Sequence, residues 1–161
     1  MSLAGLFQDA LFAAIAAIGF ACISKPPSRA YRYCALIAAI GHSIRYMLVE
    51  APGLEIHIVP ATLVAATAVG VLAVFMSPYV KCPAETCLFP SLLPMIPGIY
   101  AYRSVAGLAM CVLHDNQADF DRYYSLFAYN GLTCLCILLV MVVGATIPVF
   151  MFKRVSFSAT R

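Results

Sequence analysis

The chain has 161 residues, 63% of them hydrophobic and only 11% charged, with a mean hydropathy of +0.93. A water-soluble domain of this size could not cover so much apolar surface with so few charges, which leaves lipid as the solvent and no room for a separate catalytic domain. The net charge of +3 is informative through where the basic residues fall, because they flank membrane helices and set their orientation.

A membrane-spanning helix needs roughly 20 apolar residues, and five such runs follow one another along the chain. The first, residues 3–23, is preceded by no lysine or arginine, so it is expected to be a retained helix rather than a cleaved leader. It stops at Ser24-Lys25-Pro26-Pro27, which cannot continue a helix. The second, 30–49, ends before Glu50-Ala51-Pro52-Gly53, and the third, 58–76, stops at Ser77-Pro78. The fourth, 88–113, is interrupted by prolines, and the fifth, 125–152, is bounded by Lys153 and Arg154. The expected fold is an all-α, polytopic bundle of about five transmembrane helices forming a single transmembrane domain over residues 1–161.

Lys25, Arg29 and Arg32 lie between the first two runs, Lys81 between the third and fourth, and Lys153, Arg154 and Arg161 after the fifth. The alternate loops carry Glu50, Glu55, Asp115, Asp119 and Asp121, with Arg122 as their one basic residue. The positive-inside rule then gives an expected N-terminus outside and C-terminus in the cytoplasm. Transporters commonly build their site between two pseudo-symmetric halves, so a five-helix chain reads as one half of something larger.

The fourth run holds the strongest local signal. In Pro90-Ser91-Leu92-Leu93-Pro94-Met95-Ile96-Pro97-Gly98, each proline removes a backbone donor, freeing the carbonyls of Thr86, Pro90 and Leu93. Freed acceptors cost several kcal/mol in hydrocarbon unless protein or water satisfies them, and transporters use such breaks to line substrate paths. Pro94, Pro97 and Gly98 are therefore candidate substrate-binding positions, with Tyr100 and Tyr102 close enough to contribute. Arg103 follows within the same run, where a charge costs roughly 2.5–3.5 kcal/mol. Its guanidinium fork suits a carboxylate. Asn130 in the fifth run is a further polar candidate, for substrate or for an interhelical hydrogen bond.

Two other runs carry ionisable residues. Asp9 lies in the first, and His42 and Arg45, three apart and so on one helix face, lie in the second. Asp9 and Arg45 fall at similar depths below the outer ends of their helices. Either they form a neutralising ion pair, or Asp9 carries protons and releases its arginine when protonated; His42 is a possible relay. Five of the seven cysteines sit in apolar runs as small hydrophobes. Cys82 and Cys87 flank a short polar loop at a spacing too loose for zinc, so no metal site and no cofactor are expected. His114-Asp115-Asn116 has no nucleophile beside it, so no enzymatic activity is expected.

Pro94-Met95-Ile96-Pro97-Gly98-Ile99-Tyr100-Ala101-Tyr102 resembles the proline–glycine signature of the threonine/serine exporter family. Gln8-Asp9 followed by Ala16-Ala17-Ile18-Gly19-Phe20-Ala21, Gly41-His42 with Arg45, and Asn130 are similar to further positions of its small membrane subunit, which equals the C-terminal half of the fused exporters. The resemblance covers nearly the whole chain. It implies a secondary exporter of the bacterial inner membrane, driven by the proton-motive force and moving threonine and serine or dicarboxylates such as succinate. It also implies a partner, either a larger membrane subunit corresponding to the missing half or a second copy in a homo-oligomer, with no nucleic acid involved.

Overall fold

The computed structural model describes residues 2–53, 55–113 and 116–152. His114, Asp115, Lys153, Arg154 and Arg161 lie outside the described residues, so the readings that rest on them stay at the level of sequence. Six helices follow in order: α1 (Leu3–Ser24), α2 (Ala30–Glu50), α3 (Ile58–Val80), α4 (Ala84–Leu92), α5 (Gly98–Leu113) and α6 (Gln117–Met151). A single 3₁₀ turn, Leu93–Met95, separates α4 from α5, and no strand occurs among the described residues. The described residues thus form an all-helical fold.

α1, α3 and α6 are each long and apolar enough to cross a bilayer, and α4 with α5 makes a fourth crossing if the broken pair counts as one. α2 has 21 residues, about 31 Å at 1.5 Å per residue, so its length also suffices. Arg32, His42, Arg45 and Glu50 lower its apolarity. With α2 included, the count is the five read from sequence.

The helix ends follow from local chemistry. Ser2 caps α1 by accepting from the Gly5 N–H at 3.0 Å, and His57 Nδ1 accepts from the Val59 N–H at 3.3 Å to start α3. α1 and α3 both end on a left-handed lysine, Lys25 (φ 48°) and Lys81 (φ 57°). Glycine is the usual residue there. A lysine cation beside the negative end of the helix dipole offsets part of the backbone cost. Three ends differ from the apolar runs by four residues or more, one of them the start of α4 at Ala84. α3 passes through Pro78 to Val80, because a proline in the last turn removes only one hydrogen bond. α6 starts at Gln117, eight residues before the apolar run, with Asn116 Oδ1 accepting from the Ala118 N–H at 3.3 Å. Hydropathy marks where a helix enters lipid, whereas capping marks where it begins.

The residues fall into two compact units, one up to Met95 together with the chain from Val140 onward, the other Ile96–Leu139. In the first, α1 turns a stripe of Ala13, Ala17 and Ala21 inward and exposes Phe7, Leu11, Phe12 and Ile15. That is the pattern of a lipid-facing helix packed on its small residues. α3 is the most buried of the long helices, through Ala61, Ala65, Ala66, Val69, Ala73 and Val74. Gly70 lets it approach the C-terminal part of α6: a Cβ there would sit 2.6 Å from the Ala145 carbonyl oxygen. Gly144 returns the favour, since a Cβ there would meet the Leu63 carbonyl oxygen at 2.8 Å. In the second unit, α5 packs on the N-terminal part of α6 through Gly107, and Ser104 Oγ donates to the Phe127 carbonyl at 3.1 Å.

Candidate functional site

Within the first unit, the polar residues of α1 and α2 converge on the break that follows α4. Asp9 Oδ2 lies 3.2 Å from His42 Nδ1. The same Nδ1 lies 3.4 Å from an Arg45 guanidinium nitrogen, and the other terminal nitrogen of Arg45 donates to the Met95 carbonyl at 3.0 Å. The direct partner of Asp9 is thus His42, and His42 stands between Asp9 and the arginine.

Besides Asp9, the acidic residue these elements bring to the cluster is Glu50, at the end of α2. Asp9 is the one charged residue inside α1, and α3 has no Asp, Glu, Lys, Arg or His over its whole length. Glu85 on α4 lines a different pocket, with Ser24 and Pro26. A crevice of about 120 Å³ is lined by Asp9, Arg45, Tyr46, Val49, Glu50 and Ile58, which is room for several waters. Asp9 is 37% exposed, whereas the His42 side chain is only 7% exposed. The carboxylate is therefore the more accessible end of the pair, and the imidazole lies one step further in. His42 Nε2 is buried with no hydrogen-bond partner among the described residues.

One nitrogen has two incompatible neighbours. An ionised carboxylate only accepts and a guanidinium only donates, so Nδ1 can carry a proton for Asp9 or offer a lone pair to Arg45, but not both at once. The arrangement is sensitive to the arrival of a single proton.

α2 also serves the backbone that the prolines leave open. The Thr86 carbonyl, freed by Pro90, has the Cys34 thiol at 4.0 Å. Ser91 Oγ lies 2.9 Å from the Cys34 carbonyl and 2.7 Å from that of Cys87. Met95 is gripped twice, its side chain packed where a Cβ on Gly41 would clash with Cε at 2.8 Å and its carbonyl held by Arg45. Gly41 and Arg45 are four apart and share a face of α2. Two carbonyls of this segment thus meet side chains of α2, that of Thr86 the Cys34 thiol and that of Met95 the Arg45 guanidinium. Sequence reading quoted Gly41 without giving it this role, and it missed Cys34 and Ser91, because a thiol and a hydroxyl in apolar runs look like ordinary packing.

The remaining candidates separate. Pro94 belongs to the first unit, and Pro97, Gly98, Tyr100, Tyr102, Arg103 and Asn130 to the second. Arg103 is exposed on α5 and Tyr102 is 73% exposed; neither makes a hydrogen bond or ion pair among the described residues. Asn130 is buried and donates to the Leu126 carbonyl at 2.7 Å. It lines a cavity of about 340 Å³ on one face of α6, with Arg122, Tyr123, Ser125, Leu126 and Tyr129. Ser125 is unlike Thr133 and Thr146 on the same helix, whose hydroxyls bond back to the preceding turn; it makes no such bond. Sequence reading placed Arg122 in a loop. The seven cysteines are all unbridged, Cys82 and Cys87 among them.

A family model described as "Threonine/Serine exporter, ThrE" matches residues 9–151. The chain is also similar to a protein of Haemophilus influenzae described only as uncharacterized, with 34% identity over 152 residues. That alignment takes in 92% of this chain but 48% of the relative, so the chain spans about half the length of the relative it matches. No solved structure matches.

Proposed function

The chain belongs to the threonine/serine exporter family, and from that premise we propose that it is one half of a proton-driven secondary exporter of small carboxylate-bearing metabolites, amino acids of the threonine and serine type. The observation that carries the coupling is the Asp9–His42–Arg45 cluster. It is an acceptor, a titratable relay and a fixed cation in one row, open to the crevice at Asp9 and bonded to the helix break at Met95. Ionisable groups held inside a membrane bundle serve as proton relays. The chain covers less than half of its relative, which supports a larger membrane partner supplying the rest of the path, with a second copy of this chain as the alternative. Transport needs no chemical conversion, and none is proposed.

The cavity on α6 supports the substrate class. Arg122 offers a fork for one carboxylate, and Ser125, Tyr129 and Asn130 offer neutral hydrogen-bonding groups for a hydroxyl or ammonium beyond it. A second reading, dicarboxylate export, is favoured by a specific feature: the Ile96–Leu139 unit holds two guanidinium groups, Arg103 and Arg122, neither bonded to a described residue. Export assays decide between the readings. Cells producing this chain together with a membrane protein encoded beside it should release threonine or serine faster than cells lacking either one, and a protonophore should abolish the difference. Release of succinate instead selects the second reading. Unchanged release of all three removes the exporter assignment and leaves a subunit that only scaffolds a partner.

A further inference from the structure

We propose that Arg45 is a positioning residue that ties the proton occupancy of the Asp9–His42 pair to the conformation of the helix break at Met95. The proposal deepens the proton-coupled reading above and rests on it for its purpose, while its content comes from the geometry.

With Asp9 ionised, His42 Nδ1–H donates to the carboxylate at 3.2 Å and cannot accept from Arg45. The guanidinium then has the Met95 carbonyl as its acceptor, at 3.0 Å, and the Asp9 charge as its counter-ion. The cluster is neutral and the break is latched. A proton entering through the crevice cancels that counter-charge, whether it rests on Asp9 or makes His42 a cation 3.4 Å from Arg45. One carboxylate remains on the crevice wall, that of Glu50, five residues further along α2. Arg45 turns toward it and releases the Met95 carbonyl.

No other group competes for this role. Tyr46 is the remaining polar side chain of the crevice; α3 and the α6 segment of this unit are free of charge among the described residues, and Glu85 lies at another pocket. Met95 is fully buried with its side chain seated at Gly41, so losing its carbonyl bond moves the break rather than a loose end. The sign follows: the break is protected while the pair is deprotonated and loosens as pH falls through its titration.

Hydrogen–deuterium exchange of the whole chain in lipid nanodiscs tests this without substrate or partner. Peptides covering residues 90–100 are followed between about pH 5 and about pH 8, the range in which an imidazole-linked site titrates, with rates corrected for intrinsic exchange. Wild-type protection should fall about tenfold or more toward low pH, as expected on losing a hydrogen bond to a charged group. Asp9→Asn should exchange fast at every pH. Arg45→Met should do the same, and Arg45→Lys, which keeps the cation and a donor, should retain a weaker pH dependence. If Arg45→Met does not fold, Asp9→Asn and Arg45→Lys carry the test. A flat wild-type profile, or an Asp9→Asn profile equal to the wild type, overturns the proposal; an arginine that merely braces the fold gives that result. Loss of the exporter reading in cells with the pH profile intact would sink only that reading.

Discussion

At the scale of residues, small polar groups tie helices together at buried points. Ser91 has one hydroxyl proton and two carbonyls within reach, those of Cys34 and Cys87, so it joins α4 to α2 at a fully buried point. Replacing it with alanine removes one buried hydrogen bond and leaves both carbonyls their helical partners. We expect Ser91→Ala to cost about 1 kcal/mol, read as a modest drop in the thermal unfolding midpoint in detergent without loss of insertion. A drop of several kcal/mol would mean that the Pro90 region depends on Ser91 more than its hydrogen bonds account for. Asp9, Arg45 and His42 were visible in sequence as rare ionisable groups in lipid. Their order in space was not, because 33 positions separate Asp9 from His42 and helix periodicity relates only residues on the same helix.

At the scale of elements, packing depends on where side chains are missing. Gly70 and Gly144 bring α3 and α6 close enough that each glycine faces a backbone oxygen of the other helix. Backbone cannot yield as a flexible side chain can. Gly70→Leu or Gly144→Leu should therefore destabilise the bundle by about 1–3 kcal/mol or more through overpacking. Gly19 in α1 has nothing within 4 Å of where a Cβ would stand. Gly19→Ala should be neutral or stabilising by a few tenths up to about 1 kcal/mol, from the entropy of a helical glycine. Thermal unfolding of the three variants side by side checks the contrast, and equal effects would refute it. The break after α4 was legible as three prolines and a glycine. That α2 braces it was not, since the bracing groups lie more than 45 positions away along the chain.

At the scale of the whole molecule, orientation in the bilayer is the outstanding property. The loop with Lys25 and Arg29 is basic, and the one after Glu50 is not, so the positive-inside rule predicts that the former faces the cytoplasm. A cysteine introduced at Gly53 should react with a membrane-impermeant maleimide in intact cells, whereas one at Pro27 should react only after the membrane is opened; the reverse pattern would invert the topology. Sequence alone determined that this is a multi-helix membrane protein, roughly where its apolar segments lie, that the fourth is broken, and which family it belongs to. Those are consequences of hydropathy summed over about 20 residues, of proline's missing donor and of local motifs. Only the tertiary structure decided that Asp9 meets His42 rather than Arg45, that Arg45 holds the Met95 carbonyl, and that Gly41 makes room for the Met95 side chain. Those contacts join helices distant along the chain, and which faces meet is set by the packing of small residues between them, a collective property that no local window of sequence contains.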